Sequence, residues 1–310
     1  MTPTQPPIQT QGESTNGART ACQPPADLRA EIASYDHSAR VATWAGPHYR
    51  LTHRTLGSGP PLILVPGIAG TYQGYALLLN RLAEQFTTTI YDYPGEHPSD
   101  GSKLGRITHQ DLREDLAGLV EHLGYRYAFV FGLSFGSTVT LGALARSPDR
   151  FRRAAVQGAF AYRPHTPAER AALFVGRRSP GSIATLPFRE SILAWNSKSA
   201  FPTVLSDRWK VYLDDNARTP IAGLAHRCDL LATLDLRPLL PTIRAELLLI
   251  HGNEDRIVPR ANFELLRAGL PSATAQLLPL VGHQVHYTHP ELMARLVSEF
   301  FLQESPTRRL

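Results

Sequence analysis

Cysteine is almost missing from this chain of 310 residues. Its two cysteines, Cys22 and Cys228, lie far apart, so neither a disulfide nor a metal framework is expected. Long apolar runs are absent too: none approaches the roughly 18 residues of a membrane span, and the N-terminus lacks the apolar centre of a signal peptide. Nor is there a long run of one charge. The 32 basic residues against 27 acidic ones leave +5, carried mostly by scattered arginines with pairs at Arg152-Arg153, Arg177-Arg178 and Arg308-Arg309. That distribution is a solvated surface rather than a nucleic-acid footprint. No internal repeat is visible. These absences leave a soluble, cytoplasmic protein as the expectation. The hydrophobic share, 43%, sits just below the usual globular range, so the core must be concentrated in particular stretches.

Those stretches alternate. Residues 1–26, rich in Pro, Gln, Thr and Ser, read as a disordered tail unable to offset its ordering entropy. Val41-Ala42-Thr43-Trp44 and Tyr49 to His53 read as strands, and Leu62-Ile63-Leu64-Val65 as a continuous apolar strand near the centre of a sheet. A helix through Leu77, Leu78 and Leu82 follows, then a strand over Thr88–Tyr93. Thr108 and Asp111 are spaced to cap a helix that buries Leu112, Leu116, Leu119 and Leu123. Further strands are expected over Phe129–Phe131, Arg153–Gln157, Leu247–Ile250 and Leu277–Val281. A last helix is expected to start with Thr288 and Glu291 as a capping box. Strands alternating with helices predict an α/β fold, a mostly parallel sheet with helices on both faces. Residues 161–244 break the rhythm with helix-compatible sequence and scattered aromatics. The expected organisation is a core over 27–160 and 245–304, a helical insertion over 161–244, and a frayed tail over 305–310.

At Tyr127–Thr138 the sequence YAFVFGLSFGST puts a serine at the apex of a strand–turn–helix, with Gly132 and Gly136 two places to either side. Such a turn needs a strained backbone and a close approach of helix to strands, which the glycines permit. This G-x-S-x-G in its context resembles the nucleophile elbow of the α/β-hydrolase superfamily. The resemblance extends over about Val41 to Leu302.

A serine hydroxyl attacks a carbonyl only if a base removes its proton, and imidazole is suited to that task. A carboxylate on the far ring nitrogen holds the tautomer. In a parallel sheet such groups belong on loops at the carboxyl ends of strands. Asp255 and its neighbour Glu254 follow the Leu247–Ile250 strand. His283 follows the next strand, with His286 and His289 close by, and the residues alone leave the choice among the three open. His251, at a strand end, reads as structural. The superfamily order is nucleophile, acid, base. Gly252-Asn253-Glu254-Asp255-Arg256-Ile257-Val258-Pro259 is closely similar to the family's acid loop, and Gly282-His283 to its histidine. The resemblance thus implies Ser134, Asp255 and His283 as the catalytic set.

It also implies an oxyanion hole from the backbone N–H groups of Phe135 and Ile68, although Pro66 stands where the family often has histidine. A second departure is the long polar turn at Asp92–Asp100, where His97 and Asp100 read as solvated loop residues. The insertion corresponds to the family's cap, whose Trp195, Trp209 and Tyr212 are candidate pocket residues; the plainer alternative is that its aromatics form the cap's own core. A serine at the elbow argues against the epoxide-hydrolase and dehalogenase branches. No metal or organic cofactor is implied. The implied activity is hydrolysis of a small or medium carboxylic ester through an acyl-serine intermediate. Thioesters, lactones, amides, C–C bonds and perhydrolysis are alternatives on the same groups. A non-catalytic ligand- or partner-binding protein on this scaffold is the alternative of another class.

Overall fold

A computed structural model describes residues 26–97 and 103–303. The tail expected up to residue 26, apart from Ala26, lies outside them, as do Cys22, Asp100 and the C-terminal tail. One eight-stranded sheet organises the chain, in the order β1-β2-β4-β3-β5-β6-β7-β8. The strands are β1 Arg40–Ala45, β2 Arg50–Leu56, β3 Pro61–Val65, β4 Thr87–Tyr91, β5 Ala128–Leu133, β6 Phe151–Gln157, β7 Glu246–Gly252 and β8 Thr274–Leu278. β2 runs antiparallel to β1 and β4, and every other pairing is parallel. Alternation divides each central strand between two layers. Ile63 and Val65 join one apolar cluster with α3 (His109–His122), α4 (Phe135–Arg146) and α9 (Arg260–Gly269). Leu62 and Leu64 join another with α1 (Leu28–Ser38), α2 (Ala76–Ala83) and α11 (Pro290–Leu302). The continuous apolar runs are therefore strands covered on both sides.

Thr108 and Asp111 form the expected capping box at α3. Three readings need correction. α1 was not anticipated: its inward residues, Leu28, Ile32 and Tyr35, are few among polar ones, although Asp27 caps it by accepting from Arg29 N–H at 2.9 Å. β8 starts earlier than its apolar residues and stops at Leu278. Pro279 cannot donate to a ladder and Leu280 takes φ 58° in the turn beyond. The last helix starts at Pro290, not around Thr288, which belongs to the short α10 (Val285–Thr288) and donates its hydroxyl to Gln284 C=O. Proline suits the first helical position, so the boundary falls there.

Between β6 and β7 lie α5 (Pro167–Gly176), α6 (Arg189–Ser197), α7 (Ser206–Ala217) and α8 (Ile221–Leu231), with no strand of the sheet among them. Phe201, Val211 and Tyr212 pack with Leu77 and Tyr287 of the sheet domain. No helix among the described residues is long and apolar enough to cross a membrane.

Candidate active site

Ser134 stands where β5 turns into α4, at φ 51° and ψ −117°. A non-glycine residue there is strained and persists only if its surroundings hold it. They do: Ser134 N–H donates to Gln157 C=O at 2.8 Å, and Ser134 C=O accepts from Ser137 N–H at 2.9 Å. A Cβ on Gly136 would run into the backbone oxygens of Val65 and Pro66, and one on Gly132 into the Gly136 carbonyl at 2.7 Å. Both glycines are thus required by the approach of α4 to β3 and β5.

The loop after β7 delivers Asp255 to the loop after β8. His283 Nδ1 lies 2.6 Å from Asp255 Oδ2. A carboxylate only accepts, so Nδ1 is the donor of this bond and Nε2 is the ring nitrogen turned away from Asp255. Asp255 Oδ1 accepts from Ile257 N–H at 2.9 Å and Val258 N–H at 2.8 Å. Burial pushes the Asp255 carboxyl up, but His283 and those two N–H groups outweigh it and hold it below the usual value. Glu254 is exposed instead. His286 is stacked 4.3 Å from the Tyr75 ring, and burial drives it down to about 3, so it stays neutral. His289 meets Thr288 Oγ1, and His251 is buried against Phe263. Of the clustered histidines, His283 is the one paired with Asp255. Ser134 and His283 line a common cavity of about 230 Å³.

The Pro66–Thr71 segment is held by side chains at almost every peptide. Tyr93 OH donates to Pro66 C=O, Gly67 N–H to Tyr75 OH, Gly70 N–H to Thr219 Oγ1, and Thr71 N–H to Asp215. Ile68 C=O accepts from Arg227 Nε at 2.8 Å. Among the described residues no hydrogen bond engages Ile68 N–H. Phe135 N–H, at the first position of α4, belongs to the helix N–H groups that lack an intrahelical acceptor.

Sequence reasoning missed Gln157, Arg227 and Asp215. Gln157 was legible as the polar residue that ends the Ala154-Ala155-Val156 run of its strand. It ties the Ser134 backbone to His283, whose carbonyl accepts from Gln157 Nε2 at 3.2 Å. Arg227 and Asp215 carried no signal, since both lie on helices of the insertion. Asp215 accepts from Thr71 N–H, Thr71 Oγ1–H at 2.6 Å and Tyr287 OH at 2.9 Å.

Of the three candidate aromatics, Tyr212 lines the cavity. Trp195 does not: it is 82% exposed, on a different face of α6 from Leu193, which does line it. Trp209 packs 5.2 Å from Phe201 and Tyr212, inside the insertion's own aromatic cluster. His97 meets Asp92 at 3.1 Å on the surface. A second cavity, of about 320 Å³, shares Ser134, Ile68 and Ile257 with the first and is walled by Phe135, Phe160, Leu173 and Leu231.

Comparison with known proteins agrees with this architecture. The model of the α/β hydrolase fold family matches residues 60–290. The chain is 25% identical over 284 residues to 2-(acetamidomethylene)succinate hydrolase of Mesorhizobium japonicum, covering 88% of this chain and 99% of that one. It is 28% identical over 247 residues to the pimeloyl-[acyl-carrier protein] methyl ester esterase of Nitrosomonas europaea, covering 76% and 94%. The crystal structure of the enol-lactonase from Burkholderia xenovorans superposes with a TM-score of 0.73 at 24% identity, over 84% of this chain and all of that one (100%). The match spans most of the chain and the named relatives are hydrolases: the protein is an enzyme of the α/β-hydrolase fold family.

Proposed function

We propose that the protein is a serine hydrolase that cleaves a small or medium carboxylic ester through an acyl-serine intermediate. The observation that carries this reading is the buried His283–Asp255 pair at 2.6 Å, whose His283 lines the same cavity as Ser134. Asp255 fixes the tautomer, so Nε2 is the nitrogen free to take a proton. The Ser134 oxygen bonds to the carbonyl carbon as its proton passes to His283. The negative charge that develops on the carbonyl oxygen falls to the N–H groups of Ile68 and Phe135. His283 then returns the proton to the departing alcohol, and water repeats the sequence to release the acid. The helices of residues 161–244 act as a cap over this site. Methyl ester esterase activity in the name of one relative supports the ester over other acyl bonds.

The test is incubation with a fluorophosphonate probe and a short p-nitrophenyl ester. Labelling and turnover both vanish in Ser134→Ala if the reading holds. A folded wild type showing neither would return the protein to ligand binding without turnover.

A further inference from the structure

Tyr75 ends the single turn Tyr72–Tyr75 that precedes α2, and it is only 3% exposed. Its ring lies against His286, with centroids 4.3 Å apart and planes 12° from parallel. That stack fixes where the phenol points. Its oxygen accepts from Gly67 N–H at 2.8 Å. A Cβ built on Gly67 would stand 3.1 Å from this oxygen and 3.8 Å from the Ser134 Cβ. The phenol and the nucleophile therefore approach the same residue, and both line the cavity that contains His283.

A hydroxyl donates as well as accepts. Among the described residues the Tyr75 O–H has no protein acceptor of its own, although the side chain is buried. An unused donor in such a place is unfavourable until a ligand oxygen meets it. We propose that Tyr75 is a further catalytic residue, whose O–H donates to the carbonyl oxygen of the ester beside the N–H groups of Ile68 and Phe135.

This role rests on the serine-hydrolase reading. As the Ser134 oxygen bonds to the carbonyl carbon, the carbonyl π pair moves onto the carbonyl oxygen. A hydrogen bond to that oxygen strengthens as its charge grows, so the donor favours the transition state over the bound ester. The proton stays on Tyr75 throughout. Burial raises the phenol, Gly67 N–H pulls the other way and the Asp215 carboxylate adds to the rise, so the group remains protonated.

The competing role is that of a prop, in which Tyr75 only accepts from Gly67 N–H. Ionisation separates the two, because a phenolate accepts more strongly and cannot donate. Tyr75→Phe is expected to lower kcat on a short p-nitrophenyl ester roughly a hundredfold, with KM within about twofold. Trifluorotyrosine placed at position 75 keeps the oxygen but makes the phenol far more acidic. Its kcat/KM is expected at least to match wild type at neutral pH, then to fall in an alkaline limb that wild type lacks. The ionisable groups facing the phenol are Asp215, Glu96, Tyr93, Tyr287, His286 and His283, and all are common to both proteins. A limb present only in the fluorinated protein thus belongs to position 75. A flat or rising alkaline profile in that protein, or a Tyr75→Phe variant with wild-type kcat, would overturn the catalytic role. Fluorophosphonate labelling of the wild type runs alongside: labelling with either of those results leaves the serine chemistry standing, and absence of labelling and turnover removes both.

Discussion

Arg227, on α8, reaches 159 residues back along the chain to donate its Nε to the carbonyl of Ile68 at 2.8 Å. Its guanidinium is fully buried and pairs through Nη1 with Glu96 at 2.5 Å. Tyr93, whose ring centroid lies 5.6 Å from Arg227 Cζ, donates in turn to Pro66 C=O. The peptides on either side of Ile68 N–H are thereby fixed by side chains. The Arg227 part of that support comes from the helices between β6 and β7.

Arg227→Met should therefore harm both folding and chemistry. Leaving Glu96 buried without its partner costs about 3–5 kcal/mol. The double variant Arg227→Met/Glu96→Gln removes that charge and should recover most of the thermal stability. Its kcat on a p-nitrophenyl ester should stay about tenfold to hundredfold low, because the N–H donor is no longer aimed. Recovery of kcat together with Tm would show that Arg227 serves stability alone.

Asp255→Asn keeps an acceptor for Ile257 and Val258 N–H but no longer imposes the His283 tautomer. A fall in kcat of roughly four orders of magnitude is expected, with far-ultraviolet circular dichroism unchanged.

Gly158 occupies φ +57°, and a Cβ there would stand 2.8 Å from His283 Cε1. Gly158→Ala should displace the imidazole from Asp255 and cost about 1–2 kcal/mol in backbone strain. The expected signature is a drop in kcat larger than any change in KM, together with a lower Tm. Wild-type kinetics would mean that the ring shifts without consequence.

Acid should destabilise the fold through its buried histidines. Burial holds His286 at about 3 against 6.5 for the free side chain, and His109 at about 3 as well. The folded values are depressed, so the unfolded chain binds protons that the folded one refuses. The stabilisation is complete above about 6.5 and is lost as pH falls toward 3. Urea midpoints measured from pH 7 to pH 4 should decline, and His286→Phe, which keeps a ring against Tyr75, should make the decline shallower. Parallel curves for the two proteins would exclude His286 as a contributor.

Much of this architecture is local in origin, and the chain alone determined it. Leu62–Val65 and Leu247–Ile250 are strands because an apolar run that short, bounded by turn residues, has no other economical burial. Gly132 and Gly136 announce the turn around Ser134 because no side chain fits against β3 and α4 there. The start of β8 escaped because an edge strand with exposed Thr274, Ala275 and Gln276 has no apolar alternation to display. The exposure of Trp195 and the clamp of Arg227 on Ile68 were decided only by tertiary structure, and so was the pairing of Asp255 with His283 rather than His286 for a reading of the residues without the family resemblance. Each depends on how a helix or loop is rotated and seated against an element 28 or 159 residues away, or against solvent. Residue spacing encodes which side of an element is apolar; it does not encode which distant partner that element meets.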